Sequence, residues 1–302
     1  MIHFSDTNMA SIRIFTDTNS DLTKEMREQY RIEYFKMCNV IDGEVIPADL
    51  DWTQFSSKEF YDVLREGKKK VSTTQVPAED FRARFTECAK AGDTVIYVAC
   101  ALPLSSSVNT AAVVARDVMA EYPDAKIYCV DSKNVCMGEG LLAILAAELR
   151  DAGKSAEEIV AAIEEKRHFV NMFVTVGSLD RLKKTGRVKG SAAFFGNLLG
   201  VKPIIISDYN GQNVPIKKVK GRKPSIDEVV NLVREVVIDP AGQTVYIEHA
   251  DCIDDVTYFK EQLMALGFAD AVVTDINPIV GACIGPGAIG VWCYGKKVEL
   301  AV

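Results

Sequence analysis

Val95-Ile96-Tyr97-Val98-Ala99 is five apolar residues in a row with no polar alternation, and a strand written that way is buried on both faces. Such a strand belongs to a parallel sheet covered by helices on each side. The flanking sequence supplies helices, since Ala78 to Ala89 before it and Ser106 to Glu121 after it carry apolar residues at helical spacing. Ile12 to Thr16, Tyr34 to Val40 and Lys126 to Val130 read as further strands. Asp21 to Gln29, Lys58 to Glu66, Gly138 to Asp151 and Ala156 to Lys166 read as further helices, the last opened by a Ser155-x-x-Glu158 capping box. Residues 11–168 are therefore expected to form an α/β domain, a mainly parallel sheet with helices on both faces. Asp42-Gly43 inside a strand-like stretch predicts a small hairpin excursion at residues 35–47.

After His168 the texture changes. Strands at Val170 to Thr175, Pro203 to Ser207, Val214 to Val219, Thr244 to Glu248, Asp270 to Asp275 and Ile289 to Glu299, the last with a Gly295-Lys296 turn, are separated by fewer helices. Asp227 to Val236 and Asp254 to Leu266 are the clearest of these, and Asn210-Gly211 marks another hairpin. A C-terminal mixed α/β (α+β) domain over residues 169–302 is expected, so the chain as a whole is a two-domain α/β protein.

The 302 residues are 48% hydrophobic and 25% charged, a globular composition with room for two cores. Thirty-five Lys and Arg against 42 Asp and Glu leave a net charge of -7, which repels nucleic-acid phosphates and anionic membranes, so no nucleic-acid partner is expected. No apolar stretch reaches the ~18 to 20 residues of a membrane span, and Met1 to Ala10 lacks the features of a signal peptide; stable membrane insertion is not expected, and a cytoplasmic location is. The eight cysteines form no C-x-x-C pair and sit among apolar residues, as reduced core side chains do. His3, His168 and His249 stand far apart and away from ligand spacing, so neither a metal nor another cofactor is expected.

Four stretches invite a chemical reading. Gly138-Glu139-Gly140-Leu141-Leu142-Ala143 and Gly285-Pro286-Gly287-Ala288-Ile289-Gly290 both echo the dinucleotide-binding glycine pattern. The first begins eight residues past its strand and puts Glu139 where pyrophosphate would lie; the second runs into a strand, so no helix dipole faces the ligand. Ser105-Ser106-Ser107 gathers hydroxyls and free N–H groups at a helix N-terminus, which suits either an anion or a plain cap. Ser72-Thr73-Thr74-Gln75-Val76-Pro77 reads as a second hydroxyl-rich turn, before the Ala78 helix. Two strand-to-helix turns of one parallel sheet meet at its carboxyl edge, where a small anionic head such as a carboxylate would fit. A serine hydrolase acting on an acyl ester through Ser105 is the alternative, although G-x-S-x-G is absent and no base can be assigned.

These residues carry a family resemblance. The chain resembles the DegV family of bacterial fatty-acid-binding proteins from about Ile12 onward. The resemblance rests on Phe15-Thr16-Asp17-Thr18-Asn19-Ser20-Asp21-Leu22; Thr73-Thr74-Gln75; Leu104-Ser105; Asp131-Ser132-Lys133-Asn134 with Met137-Gly138; Leu179-Asp180-Arg181-Leu182-Lys183-Lys184 with Gly186-Arg187; Val201-Lys202-Pro203-Ile204; and Gly285-Pro286-Gly287. It implies a long-chain fatty acid such as palmitate or oleate held between two domains, its carboxylate on a Thr and a Ser that correspond to Thr73 and Ser105. It further implies a carrier rather than an enzyme, one that presents the carboxylate to a fatty acid kinase. Thr74, Ser106, Cys283, Gly285, Pro286 and Gly287 would lie near the head group.

The family's T-S-Q-P-S reads Thr73-Thr74-Gln75-Val76-Pro77 here, its S-S-G-L-S-G-T reads Ala101 to Ser107, and Cys283 stands where many members carry a His. Phe194, Phe195, Leu198, Leu199, Ile204 and Ile206 are candidates for the apolar wall around the acyl tail. Positive charge concentrates at Arg181 to Lys189 and at Lys217, Lys218, Lys220, Arg222 and Lys223, which makes the latter stretch the expected docking face for the partner.

Overall fold

The computed structural model describes residues 11–190, 194 and 199–301. Strands β1 (Ile12–Asp17), β2 (Ile32–Phe35), β6 (Thr94–Ala99) and β7 (Lys126–Asp131) form a four-stranded sheet in the order β2-β1-β6-β7, parallel throughout. The apolar run on β6 is buried on both faces, as its composition predicts. Val95, Tyr97 and Ala99 point into a core with α3 (Ala78–Ala91) and α4 (Ser107–Glu121). Ile96 and Val98 point the other way, into a core with α5 (Met137–Asp151) and α6 (Ala156–Lys166). The capping box at Ser155 and Glu158 is formed.

The strand expected at Tyr34 to Val40 is two strands. β2 stays in the parallel sheet, while β3 (Cys38–Ile41) pairs with β4 (Glu44–Pro47) and β5 (Val71–Thr74) in a separate antiparallel sheet. The break is tied by Thr18, whose hydroxyl accepts from the Met37 amide and donates to the Ala48 carbonyl. Asp42 and Gly43 both have positive φ, the geometry of the two-residue hairpin that Asp-Gly favours. The excursion therefore extends beyond residues 35–47, through α2 (Ser57–Glu66) to Thr74. Ser72-Thr73-Thr74, read from sequence as a capping turn, is a strand: its hydroxyl side chains alternate between sheet faces, and a period-2 pattern of polar residues carries no apolar signal to find it by.

The second large sheet has the order β10-β9-β8-β13-β11-β12, from β8 (Val170–Thr175), β9 (Val201–Ser207), β10 (Asn213–Lys220), β11 (Thr244–His249), β12 (Asp270–Asp275) and β13 (Ile289–Tyr294). Only β11 and β12 are parallel. Helices α8 (Arg222–Val236) and α9 (Ile253–Met264) cover one face through the core around Val229, Phe259 and Val291. The other face, with Met172, Val174, Ile205 and Trp292, joins the core that α5 shares with the parallel sheet. The expected second strand of a Gly295-Lys296 hairpin is absent among the described residues, where Gly295 makes a single bridge to Val237. Two short helices escaped the sequence reading, α7 (Asp180–Thr185) and α10 (Pro278–Ile284). The second had a signal, since Pro278 follows Asn277, whose side chain accepts from the Ile279 and Val280 amides.

The first glycine pattern has a packing explanation. A Cβ at Gly140 would lie 2.5 Å from the Ser20 carbonyl oxygen, 2.9 Å from Met137 Sδ and 3.0 Å from Leu22 Cδ2. Glycine lets α5 press onto the segment after β1. Elsewhere in a helix Gly→Ala stabilises by about 0.5–1 kcal/mol; here the sign should reverse, and Gly140→Ala is expected to cost about 1–3 kcal/mol as an overpacked site does. Thermal unfolding checks it, and a midpoint equal to or above wild type would contradict the packing argument. No helix among the described residues is long and apolar enough to cross a membrane.

Candidate functional site

A cavity of about 250 Å³ lies between the two large sheets, walled by residues from Asn19 to Trp292. Four elements converge on its mouth. β5 delivers Thr73, which pairs across the strand with Asn39, while Thr74 and Gln75 beside it are exposed. The turn into α4 delivers Ser105, which is 7% exposed, and the exposed Ser106. α10 delivers Cys283 at its last turn, and the chain after α7 delivers Arg187.

Hydrogen bonding at the mouth is partial. Ser105 Oγ lies 3.1 Å from Ser107 Oγ and accepts from the Ser107 amide, so it caps α4 and keeps room for a further partner. Burial pushes the Cys283 thiol up, opposed by the Arg187 charge and by hydrogen bonds with Thr185 and Thr73. Arg187 donates through Nε to the Leu104 carbonyl at 3.2 Å and through Nη1 to the Thr185 carbonyl at 2.5 Å. Among the described residues no carboxylate forms a salt bridge with it. The mouth thus combines two hydroxyls and a guanidinium, an arrangement that suits an anion.

Beyond the mouth the wall turns apolar. Val135, Met172, Val174, Leu182, Ile205, Ile276 and Trp292 line it, each nearly sealed from solvent, with the Cys100 and Cys136 thiols among them. Buried Asn19 and Asn213 add two amides to this otherwise apolar wall.

Thr73, Thr74, Ser105, Ser106 and Cys283 are thus brought together at one opening. Gly285, Pro286 and Gly287 are not part of the wall, to which the chain contributes Ile284 before them and Trp292 after them. Gly285 instead leaves room for the Arg181 side chain, whose Cδ would lie 2.7 Å from an added Cβ, and the Gly287 amide donates to the Ala250 carbonyl. Of the expected tail-wall residues, Ile204 and Ile206 face α8 on the opposite side of β9, and the residue between them, Ile205, lines the cavity. Leu199 is fully exposed, Phe194 is half-buried against the central core without lining the cavity, and Phe195 and Leu198 lie outside the described residues. Arg187 and Trp292 are lining residues that sequence reasoning did not single out; Arg187 stood inside a quoted motif, and only its docking on the residue before Ser105 reveals its place.

The basic stretch at the end of β10 is largely neutralised. Lys217 pairs with Glu228, Arg222 with Asp255 and Lys223 with Asp227, while Lys218 lies over the Phe194 ring; Lys220 is exposed. His249 faces Asp275, with Nδ1 3.5 Å from the carboxylate, and Ser105 has no histidine partner among the described residues. Asp21, Cys136 and Glu248 are the described side chains grouped as metal donors would be, and backbone and amide N–H groups from Met137 and Asn277 donate to their carboxylates.

Fold and cavity define a two-domain α/β protein with a largely apolar slot that carries hydroxyls and a guanidinium where it meets exposed residues. The family described as "Uncharacterised protein, DegV family" matches residues 11–296. A DegV domain-containing protein of Clostridium perfringens is 33% identical over 293 residues, covering 96% of this chain and 100% of that protein. The structure of DegV from Bacillus subtilis, described as a fatty acid binding protein, is similar with a TM-score of 0.80 at 27% identity, over 94% of this chain and 99% of that one. A DegV family protein from Thermus thermophilus, reported for its fatty acid binding, gives a TM-score of 0.84 at 25% identity, over 95% and 100%. The chain belongs to the DegV family.

Proposed function

We propose that this protein binds one long-chain fatty acid, with the acyl tail in the slot and the carboxylate at the mouth on Thr73 and Ser105. The observation that carries the reading is the uneven polarity within one cavity: hydroxyls and Arg187 at the opening, and behind them mostly apolar side chains with buried thiols and the amides of Asn19 and Asn213. Burial at roughly 0.8 kcal/mol per CH₂ gives a tail of about fifteen methylenes on the order of 10 kcal/mol before the costs of association, against ~1 kcal/mol for each neutral hydrogen bond. The tail sets affinity and the mouth sets direction. The likeness to the Bacillus subtilis and Thermus thermophilus proteins supports the same ligand class.

The tail-first orientation leaves the carboxylate beside exposed Thr74, Gln75 and Ser106, within reach of a second protein. We therefore propose a carrier that presents the carboxylate to a kinase acting on it, itself contributing no chemistry. Native mass spectrometry of purified protein, followed by organic extraction, tests the ligand. One fatty acid per chain, removable by delipidation and restored by palmitate or oleate, is the expected result; protein that carries none and takes up neither overturns it.

Arg187 supplies the counter-charge. Arg187→Gln keeps the hydrogen-bonding capacity toward Leu104 and removes the charge, and is expected to weaken palmitate about 10- to 100-fold, the value of a charge-assisted bond. Hexadecanol should lose little, because it brings no charge to the mouth. Equal losses for acid and alcohol would show that Arg187 acts only through packing.

A further inference from the structure

Behind the inner wall of the slot, where the domains meet, two carboxyls lie within 4.8 Å of each other, and among the described residues no Lys or Arg pairs with either. Asp21, on the segment after β1, is 5% exposed and Glu248, on β11, is fully buried. With the Cys136 thiol they form a cluster whose oxygens and sulfur lie within 4.8 Å of one another. Each is tied to the opposite domain: the Asn277 amide and side chain donate to Asp21 Oδ1 and Oδ2 at 2.8 and 3.1 Å, and the Met137 amide donates to Glu248 Oε1 at 2.9 Å. Glu248 Oε2 is sealed from solvent and has no partner donor.

The surroundings deepen the electrostatic problem. Glu139, one turn along α5, is fully buried and its carboxylate accepts from the Thr16 hydroxyl and the Asp17 amide. Asp17 is buried and bonded to Tyr97; Asp275 approaches from the end of β12, and the Tyr61 hydroxyl and Cys252 thiol from α2 and the start of α9. His249, next to Glu248, is turned toward Asp275. Among the described residues no lysine or arginine forms a salt bridge with Asp21 or Glu248. Two ionised carboxylates this close in a buried site would repel strongly.

We propose that Asp21 and Glu248 share one proton across the domain interface, and that this proton latches the inner end of the slot, so that its loss to solvent at alkaline pH loosens the domains and speeds ligand release. The hydrogen-bond inventory places the proton. Both Asp21 oxygens already accept from Asn277, as an anion would, while Glu248 Oε2 lacks a partner until it carries a hydrogen and donates it to Asp21. Cys136, whose sulfur lies within 4.8 Å of both acids and which is part of the slot wall, couples the pair to the ligand space. Burial, then repulsion among the acids, moves both carboxyls in the required direction, Asp21 up to about 7 and Glu248 well above the usual carboxylate range. The sign follows: a raised carboxyl contributes stability that is complete below its unfolded value near 4 and is lost as pH rises through the folded value. Burial lowers His249 below its ordinary value of 6.5, so its titration lies on the acid side of the pH 6.5 to 9 range of the test.

Glu248→Gln reproduces the protonated form, because the amide donates to Asp21 and its oxygen still accepts from Met137. Three measurements between pH 6.5 and 9 test the latch. Carboxyl ¹³C NMR of labelled wild-type protein should show Glu248 protonated at pH 6.5; both acids ionised there, or one equivalent of bound metal by elemental analysis, overturns the proposal. The thermal midpoint of ligand-free wild type should fall across the window and that of Glu248→Gln should fall less, the slope that remains belonging to Glu139 and Asp17, whose carboxyls burial also raises; this arm is independent of any ligand, and a level wild type, or a variant that falls as steeply, overturns it. The release rate of cis-parinaric acid rests on the lipid-binding reading and should rise by up to ~10-fold per pH unit in wild type, as loss of one proton requires, and stay flat in the variant. Should Glu248→Gln fail to fold, Asp21→Asn takes its place, and the NMR arm needs no variant at all.

Discussion

Trp292→Ala is expected to destabilise the protein by about 3–5 kcal/mol, the cost of emptying a fully packed aromatic site. Trp292 is 1% exposed in β13, and its indole N–H donates to the Val135 carbonyl at 3.1 Å, joining the six-stranded sheet to the segment before α5. An added Cβ on Gly138 or Gly290 would lie 3.0 Å from the ring, so both glycines are shaped around it. Removing the ring leaves a void that these glycines cannot fill and an unpaired carbonyl in the core. At ~2–4 °C per kcal/mol the midpoint should drop on the order of 10 °C. Because the ring also walls the slot, the surviving folded fraction should favour fatty acids longer than those wild type prefers. Trp292→Phe separates the two effects: it keeps most of the volume, and its smaller loss should leave the length preference unchanged. A Trp292→Ala protein with wild-type stability would mean the site collapses freely, contrary to the packing described.

Thr73→Ala combined with Ser105→Ala is expected to weaken palmitate by about 100-fold. Two hydrogen bonds to a charged group would be worth more in a dry site, but Thr73 is half-exposed, and water entering the mouth recovers part of the loss. The residual binding should be large, because the methylenes are untouched, and circular dichroism should show a native spectrum. Titration calorimetry on delipidated protein gives the answer, and unchanged affinity in the folded double variant would remove both residues from the head-group site. Neither side chain is needed for the fold: Thr73 lies at the edge of a three-stranded sheet, and Ser107 and the Ser106 backbone remain to start α4.

The parallel sheet was legible because its signal is local and redundant. Val95 to Ala99 announces burial on both faces within five residues, and α5 and α6 show their period and cap. Where placement depends on one residue of phase, the reading failed. Ile204 and Ile206 differ from Ile205 only in which side of β9 they occupy, and nothing in Pro203-Ile204-Ile205-Ile206 marks the side that faces the slot. Thr73 was found as a ligand-binding candidate through the family resemblance, yet its strand was missed, since alternating hydroxyls look like a turn. Arg187 and Trp292 meet the slot through contacts that span 83 and 157 residues of sequence, to Leu104 and Val135, and such distances leave no periodic trace. In the second glycine pattern, Gly285 makes room for Arg181 from a different helix and Gly290 for Val174 and Trp292.

β13 is the last strand of its sheet in chain order, yet it stands in the middle, between β8 and β11. During synthesis β8 to β12 emerge before the strand that joins them, so the sheet is first available as two unconnected pieces with open edges, an arrangement prone to wrong pairing. The parallel sheet, complete by Asp131, can fold while this happens. The slot gains its floor only when Trp292 arrives, so a ribosome-bound chain lacking those residues has the hydroxyls of the mouth but nowhere to put a tail.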